Sequence, residues 1–111
     1  MILARLFKIR DRVEKHWNER DAIECYNQHP RDQVAFVRAY RAKAKTYGID
    51  PMTILMLLQI AMRLYFWCKE QGFLDEAPTN VPTFAMLFEQ SADAQLSATA
   101  MINLESLDDE S

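Results

Sequence analysis

Between Asp50 and Glu70 the chain reads DPMTILMLLQIAMRLYFWCKE. Asp50 has a side-chain acceptor suited to capping a helix start. Pro51 fits the first helical position, where its missing N–H costs nothing. Gly72 stands just past the other end, where a left-handed residue commonly closes a helix. The spacing predicts a helix over 52–70 that is apolar on nearly every side. Gln59, Arg63 and Glu70 make one narrow polar line along it, with Lys69 off that line. A helix apolar all round belongs either to a core or to a membrane. A span needs about 20 predominantly apolar residues, and Gln59 and Arg63 interrupt the middle of this one. The expectation is the central helix of a soluble domain, with no membrane partner.

The preceding segment gives a second capped helix. Asp32 is its N-cap and Gly48 its terminator. Phe36, Val37, Tyr40, Ala44 and Tyr47 fall on one apolar face. Ala35, Ala39 and Ala42 form a small-residue face suited to close approach. Arg31, Arg38, Arg41 and Lys45 share an arc of roughly 80° at 100° per residue, with Val34 inside it. Nearer the N-terminus, Leu6, Ile9, Val13 and Trp17 follow helical spacing from about Ile2 to Tyr26. The stripe fails at Asn18-Glu19-Arg20-Asp21, which predicts a kink or short break. Opposite charges four apart, such as Arg10/Glu14 and Arg20/Glu24, line the polar side and add a few tenths of a kcal/mol each.

After Gly72, Pro82 is expected to open a short helix with Phe84, Leu87 and Phe88 inward. A last helix is expected from Asp93 to about Leu107, striped by Leu96, Ala100, Leu104 and Leu107. Asp108, Asp109 and Glu110 follow; acidic residues oppose the dipole at a helix C-terminus, so 108–111 should fray. Only two glycines and four prolines occur in 111 residues, too few for the turns of a sheet protein. The fold class is therefore all-α: one domain over 1–111, a compact bundle of four or five helices around the apolar central one.

Cys25 and Cys68 have no framework spacing, and no apolar signal run precedes the domain, which points to a reduced, cytoplasmic protein. Charge is uneven. Residues 1–47 carry eleven Lys/Arg against six Asp/Glu, and residues 48–111 carry two against ten. Such asymmetry suggests an electrostatic partner or pairing between the halves.

No residue pattern reaches a catalytic, nucleotide or metal signature. Zinc needs three or four converging ligands, and His16, Cys25, His29 and Cys68 show no such spacing. Glu24, Cys25 and His29 form the only reactive cluster and lack a third orienting group. No catalytic residue, cofactor or metal is expected. The methionines Met62, Met86 and Met101 read as core.

The turn between the two capped helices is similar to a DNA-binding helix-turn-helix over about twenty residues, through Ala44, Gly48, Ile54 and Leu57. A recognition helix presents polar or basic side chains to the bases. Here the outward positions are Met52, Leu55 and Met56, so a plain capped turn is expected instead.

Two surfaces remain. The first is the side of the central helix carrying Met52, Met56, Gln59 and Arg63, together with Leu104 and Leu107 of the last helix. It suggests a non-enzymatic protein-interaction or assembly module, self-associating as a homodimer. The second is the stripe Arg31, Arg38, Arg41 and Lys45, which would suit the phosphates of a nucleic acid.

Overall fold

The computed structural model describes residues 10–91, and among them every regular element is a helix. Helix α1 is described over 10–16. It is followed by α2 (Glu19–Gln28), α3 (Gln33–Thr46), α4 (Pro51–Glu70) and α5 (Phe84–Ser91). The all-α bundle is as expected. The expected helix over 93–107, with Leu104 and Leu107, lies outside the described residues, as do 1–9 and the acidic 108–111.

The break in the N-terminal helix falls at Trp17 and Asn18. Asn18 takes extended dihedrals, and its side chain accepts a hydrogen bond from the Asp21 N–H at 3.2 Å. The polar interruption is thus an N-cap that starts a new helix. The chain turns there, and the Trp17 ring is set beside those of Tyr40 and Phe84, with centroids 5.9 and 6.4 Å away.

Helices α3 and α4 begin and end where their capping residues stand. Asp32 accepts from the Ala35 N–H at 3.0 Å. Asp50 accepts from the Thr53 N–H at 3.0 Å and from the Thr53 hydroxyl at 2.7 Å. These bonds, the hydroxyl's first, hold the Asp50 carboxyl below its ordinary range. Gly48 closes α3 with φ of 70°, a left-handed conformation that costs a side-chain-bearing residue roughly 1–2 kcal/mol.

Helix α4 packs against α2, α3 and α5. Its length and composition would let it cross a membrane, yet 56% of its apolar window is buried inside the fold. It is the core helix of a globule. The Tyr65 ring meets Tyr26 of α2 edge-on at 5.6 Å and Phe36 of α3 at 4.9 Å. Leu57, Leu58, Ile60 and Leu64 are buried with them, joined by Val13 of α1 and Leu87 of α5.

The connection 71–83 is tied down by polar contacts from α2. The Tyr26 hydroxyl donates to the Phe73 carbonyl, and the Asn27 side-chain oxygen accepts from the Ala77 N–H at 2.6 Å. Pro82 does not open α5, as its position had suggested. It is buried two residues before the helix, and Thr83 is the cap. The Thr83 carbonyl accepts from the Leu87 N–H at 3.0 Å, and its hydroxyl from the Met86 N–H at 3.3 Å. Met86 itself is exposed rather than core, and so is Ala42.

Leu57 and Leu55 lie on opposite sides of α4, the first wholly buried and the second half-exposed. Leu57→Ala is expected to cost about 2–5 kcal/mol, the range for a truncated core leucine. Leu55→Ala should cost less than half as much. Urea unfolding followed by far-UV circular dichroism measures both, and equal losses would contradict this placement of α4.

Candidate functional site

The ten buried residues of α4 occupy an arc of about 200° at 100° per residue. The rest of its circumference carries Leu55, Phe66, Gln59, Met52, Glu70, Arg63, Met56 and Trp67. All are half-buried except Met52, which is 56% exposed, and Glu70, also exposed. The four sequence-predicted residues of this helix therefore do share one face. Arg63 sits among them, between Met52 and Met56, and reaches toward α5. Its Nε donates to the Gln90 side-chain oxygen at 2.7 Å, and its guanidinium lies 3.9 Å from the Glu70 carboxylate. Trp67 borders the far end, with its ring 5.9 Å from that of Phe73.

Leu55, Phe66 and Trp67 were missing from the sequence-derived surface. Their signal was present, since each lies within about 60° of Met52 or Arg63 on a helical wheel. It was hidden because a helix apolar throughout gives no contrast between a core side and a bare side. Leu104 and Leu107, the other two residues of that surface, lie outside the described residues.

The basic stripe runs along the outside of α3. Arg31, Arg38 and Lys45 are exposed and Arg41 is half-buried. Arg31 pairs with Asp75 at 3.6 Å, both side chains mostly in solvent. Such a pair contributes at most about 1 kcal/mol. Arg38 and Arg41 also have interaction partners. Val34 interrupts the stripe, 45% exposed.

A third cluster, invisible in the sequence, joins α2 to the end of α3. Asp21 is only 9% exposed. The Tyr47 hydroxyl donates to its Oδ2 at 2.7 Å, and Lys43 Nζ stands 3.9 Å from its Oδ1. Lys43 also bonds Glu24 at 2.9 Å. These contacts raise Lys43 and Tyr47 above their ordinary values, chiefly through the hydrogen bonds to Glu24 and Asp21 respectively. Tyr47 belongs to the apolar face of α3 by spacing alone. Instead its ring is 60% exposed, and its hydroxyl serves the buried carboxylate. No local pattern links residues 26 apart, so this contact was not legible beforehand.

Beside that cluster lies a cleft lined by His16, Asn18, Asp21, Tyr40, Ala44, Tyr47, Ile49 and Leu57, with room for at most one water. Organic ligands occupy cavities of roughly 300–1,000 Å³. Cys25 adjoins the cluster, but burial pushes its thiol up to about 11, only partly countered by Lys43. A nucleophilic cysteine needs the opposite shift. His29 caps α2 through its backbone N–H, 3.0 Å from the Cys25 carbonyl. Among the described residues no three His, Cys, Asp or Glu side chains converge as a metal site would require.

Comparison with family models, with curated proteins and with solved structures finds no match to this chain.

Two outcomes test the polar cluster and the thiols. Tyr47→Phe leaves the Asp21 carboxylate without its shortest hydrogen bond and should lower the urea midpoint at pH 7; no loss would mean that solvent replaces the hydroxyl. Cys25 and Cys68 are both pushed up by burial to about 11, from an ordinary 9.0. Because the folded values are raised, this contribution to stability is intact below pH 9 and is lost between pH 9 and 11, as unfolded thiols ionise first. At pH 8, Ellman's reagent should label neither thiol in the native protein within minutes, and both in guanidinium. Rapid native labelling would contradict the burial.

Proposed function

We propose that this protein is a non-enzymatic helical interaction module that associates with a second copy of itself through the outward face of α4. The observation that carries this reading is the run of large apolar side chains on that face: Met52 is 56% exposed, and Leu55, Met56, Phe66 and Trp67 pack against the core while remaining only half-buried. Leaving one such side chain in water forgoes about 1.5–3 kcal/mol relative to burying it. Contiguous exposed apolar patches on a folded domain commonly mark contact sites. The face has one cation, Arg63, and one carboxylate, Glu70, 3.9 Å apart, with Arg63 also engaged by Gln90. A second identical copy therefore meets little charge repulsion there. Two free, buried thiols suit a reducing compartment, and we place the protein in the cytoplasm on that ground.

The basic stripe of α3 supports a second reading, a surface for nucleic-acid phosphates. Its support is weaker. Arg31, Arg38 and Arg41 are already engaged, and the exposed apolar Val34 lies within the stripe. Binding of that kind would fall steeply with salt.

Light scattering behind gel filtration separates these readings. The native chain should show twice its 13.0 kDa mass at tens of micromolar, unchanged in high salt because the contact is apolar. Met56→Glu, which sets a charge in the face without touching the buried side of α4, should give the monomer mass with unchanged helicity. A native chain that is monomeric throughout, or a Met56→Glu dimer as tight as the native one, would overturn the proposal.

A further inference from the structure

The connection 71–83 is the longest stretch without regular structure among the described residues. Only Ala77 and Pro82 within it are buried, with Phe73 and Val81 half-buried against the core. Among the described residues, no backbone–backbone hydrogen bond begins or ends in 74–82. A segment with few buried side chains and no hydrogen-bonded ladder opens locally at a free energy well below that of global unfolding. Its position therefore depends on the few side chains that reach it from other elements.

Two adjacent residues near the end of α2 hold it by its backbone. The Tyr26 hydroxyl donates to the Phe73 carbonyl, and the Asn27 side-chain oxygen accepts from the Ala77 N–H at 2.6 Å. The Arg31–Asp75 pair lies mostly in solvent and adds little. Behind these ties, Tyr26 and Cys68 are both fully buried. The Cys68 carbonyl accepts from the Phe73 N–H at 3.0 Å. Burial, and after it the neighbouring Cys68, raises the Tyr26 hydroxyl above its ordinary value. The Cys68 thiol is therefore beside the tie. Cys25 is just as buried, but its charged neighbours are Lys43, Glu24 and Asp21, on the side of α3.

We propose that residues 73–81 form a latch, closed by Tyr26 and Asn27, which opens about Gly72 while α2, α3 and α4 stay packed and so admits solvent to Cys68. Gly72 suits a hinge. Its φ of 85° is left-handed, and the space where a side chain would stand is open. The rest of the bundle is held without the latch. Tyr65 of α4 packs on Tyr26 and Phe36, and α5 keeps its own anchors in buried Leu87 and the Arg63–Gln90 bond. The latch is independent of the self-association proposed above, because it involves none of the outward side chains of α4 except Trp67, beside Phe73.

The test follows both thiols in one full-length chain. Iodoacetamide is applied at pH 8 across a urea series, and the labelled peptides are resolved by mass spectrometry. Over hours, Cys68 should react faster than Cys25 in the native chain. Its rate should rise only shallowly with urea below the unfolding midpoint, because the opening exposes little surface, whereas Cys25 should follow the steep slope of global unfolding. Asn27→Ala should speed Cys68 roughly two- to tenfold, the worth of one hydrogen bond, and leave Cys25 unchanged. Tyr26→Phe keeps the ring in the core, removes the other tie, and should act in the same direction. Should Asn27→Ala fail to fold, Tyr26→Phe carries the comparison alone. Equal acceleration of both thiols would mean that the connection melts only with the bundle, and overturns the latch. Equally steep urea slopes for the two thiols in the native chain overturn it as well, and so does a Cys68 rate that neither variant moves.

Discussion

A helix of twenty residues as apolar as α4 has to be covered, and the arrangement of the other helices follows from that demand. Each large side chain it buries contributes about 1.5–3 kcal/mol, and ten of its residues are buried. Helices α2 and α3 supply the aromatic wall around Tyr65, and α5 supplies Leu87 across from it. Three short helices can wrap little more than half the circumference of a cylinder. Among the described residues, the remainder is the outward face, where only Met52 of the large apolar side chains is exposed and Leu55, Met56, Phe66 and Trp67 are half-buried against the core. The feature that dominates the core and the feature that dominates the surface therefore have one origin, the excess of apolar residues between Met52 and Trp67.

The parts of this fold legible in the sequence are those fixed by local chemistry. Asp32 with Gly48, and Asp50-Pro51 with Gly72, mark the ends of α3 and α4 because capping needs only neighbours three residues away. The polar run at 18–21 marked the α1–α2 break for the same reason. What stayed hidden depended on distance along the chain. The Tyr47–Asp21 bond, the Asn27 grip on Ala77 and the Arg63–Gln90 pair join residues 26 to 50 apart, and no periodicity encodes them. Pro82 misled because a proline suits both a first helical turn and the extended residue before a cap. Thr83 decided between them with a hydroxyl and a carbonyl placed to accept.

The candidate surface was legible in the same partial way. Gln59 and Arg63 gave the direction of the outward side, because only a polar residue breaks the uniformity of α4. The width of that side emerged once the positions of α2, α3 and α5 were known. The Asp21 cluster is the reverse case. It concentrates polar and titratable groups beside a cleft, as a reaction centre would. Its geometry spends them on one another: the Tyr47 hydroxyl on Asp21, the Lys43 ammonium on Glu24. Satisfied pairs of this sort bolt one helix to another.

The order of the helices along the chain has a consequence for how the bundle assembles. Helices α2, α3 and α4 follow one another through short connections of a few residues, and each packs on the next. Contacts between sequence neighbours close small loops and lose little chain entropy, the condition under which helical domains form fastest. The bonds from Tyr26 to Phe73 and from Asn27 to Ala77 span 47 and 50 residues. They close long loops and fix the connection that delivers α5. A nascent chain can therefore pair its first helices while residues 71–91 are still being made, and the apolar flank of α4 then waits in water until synthesis reaches α5.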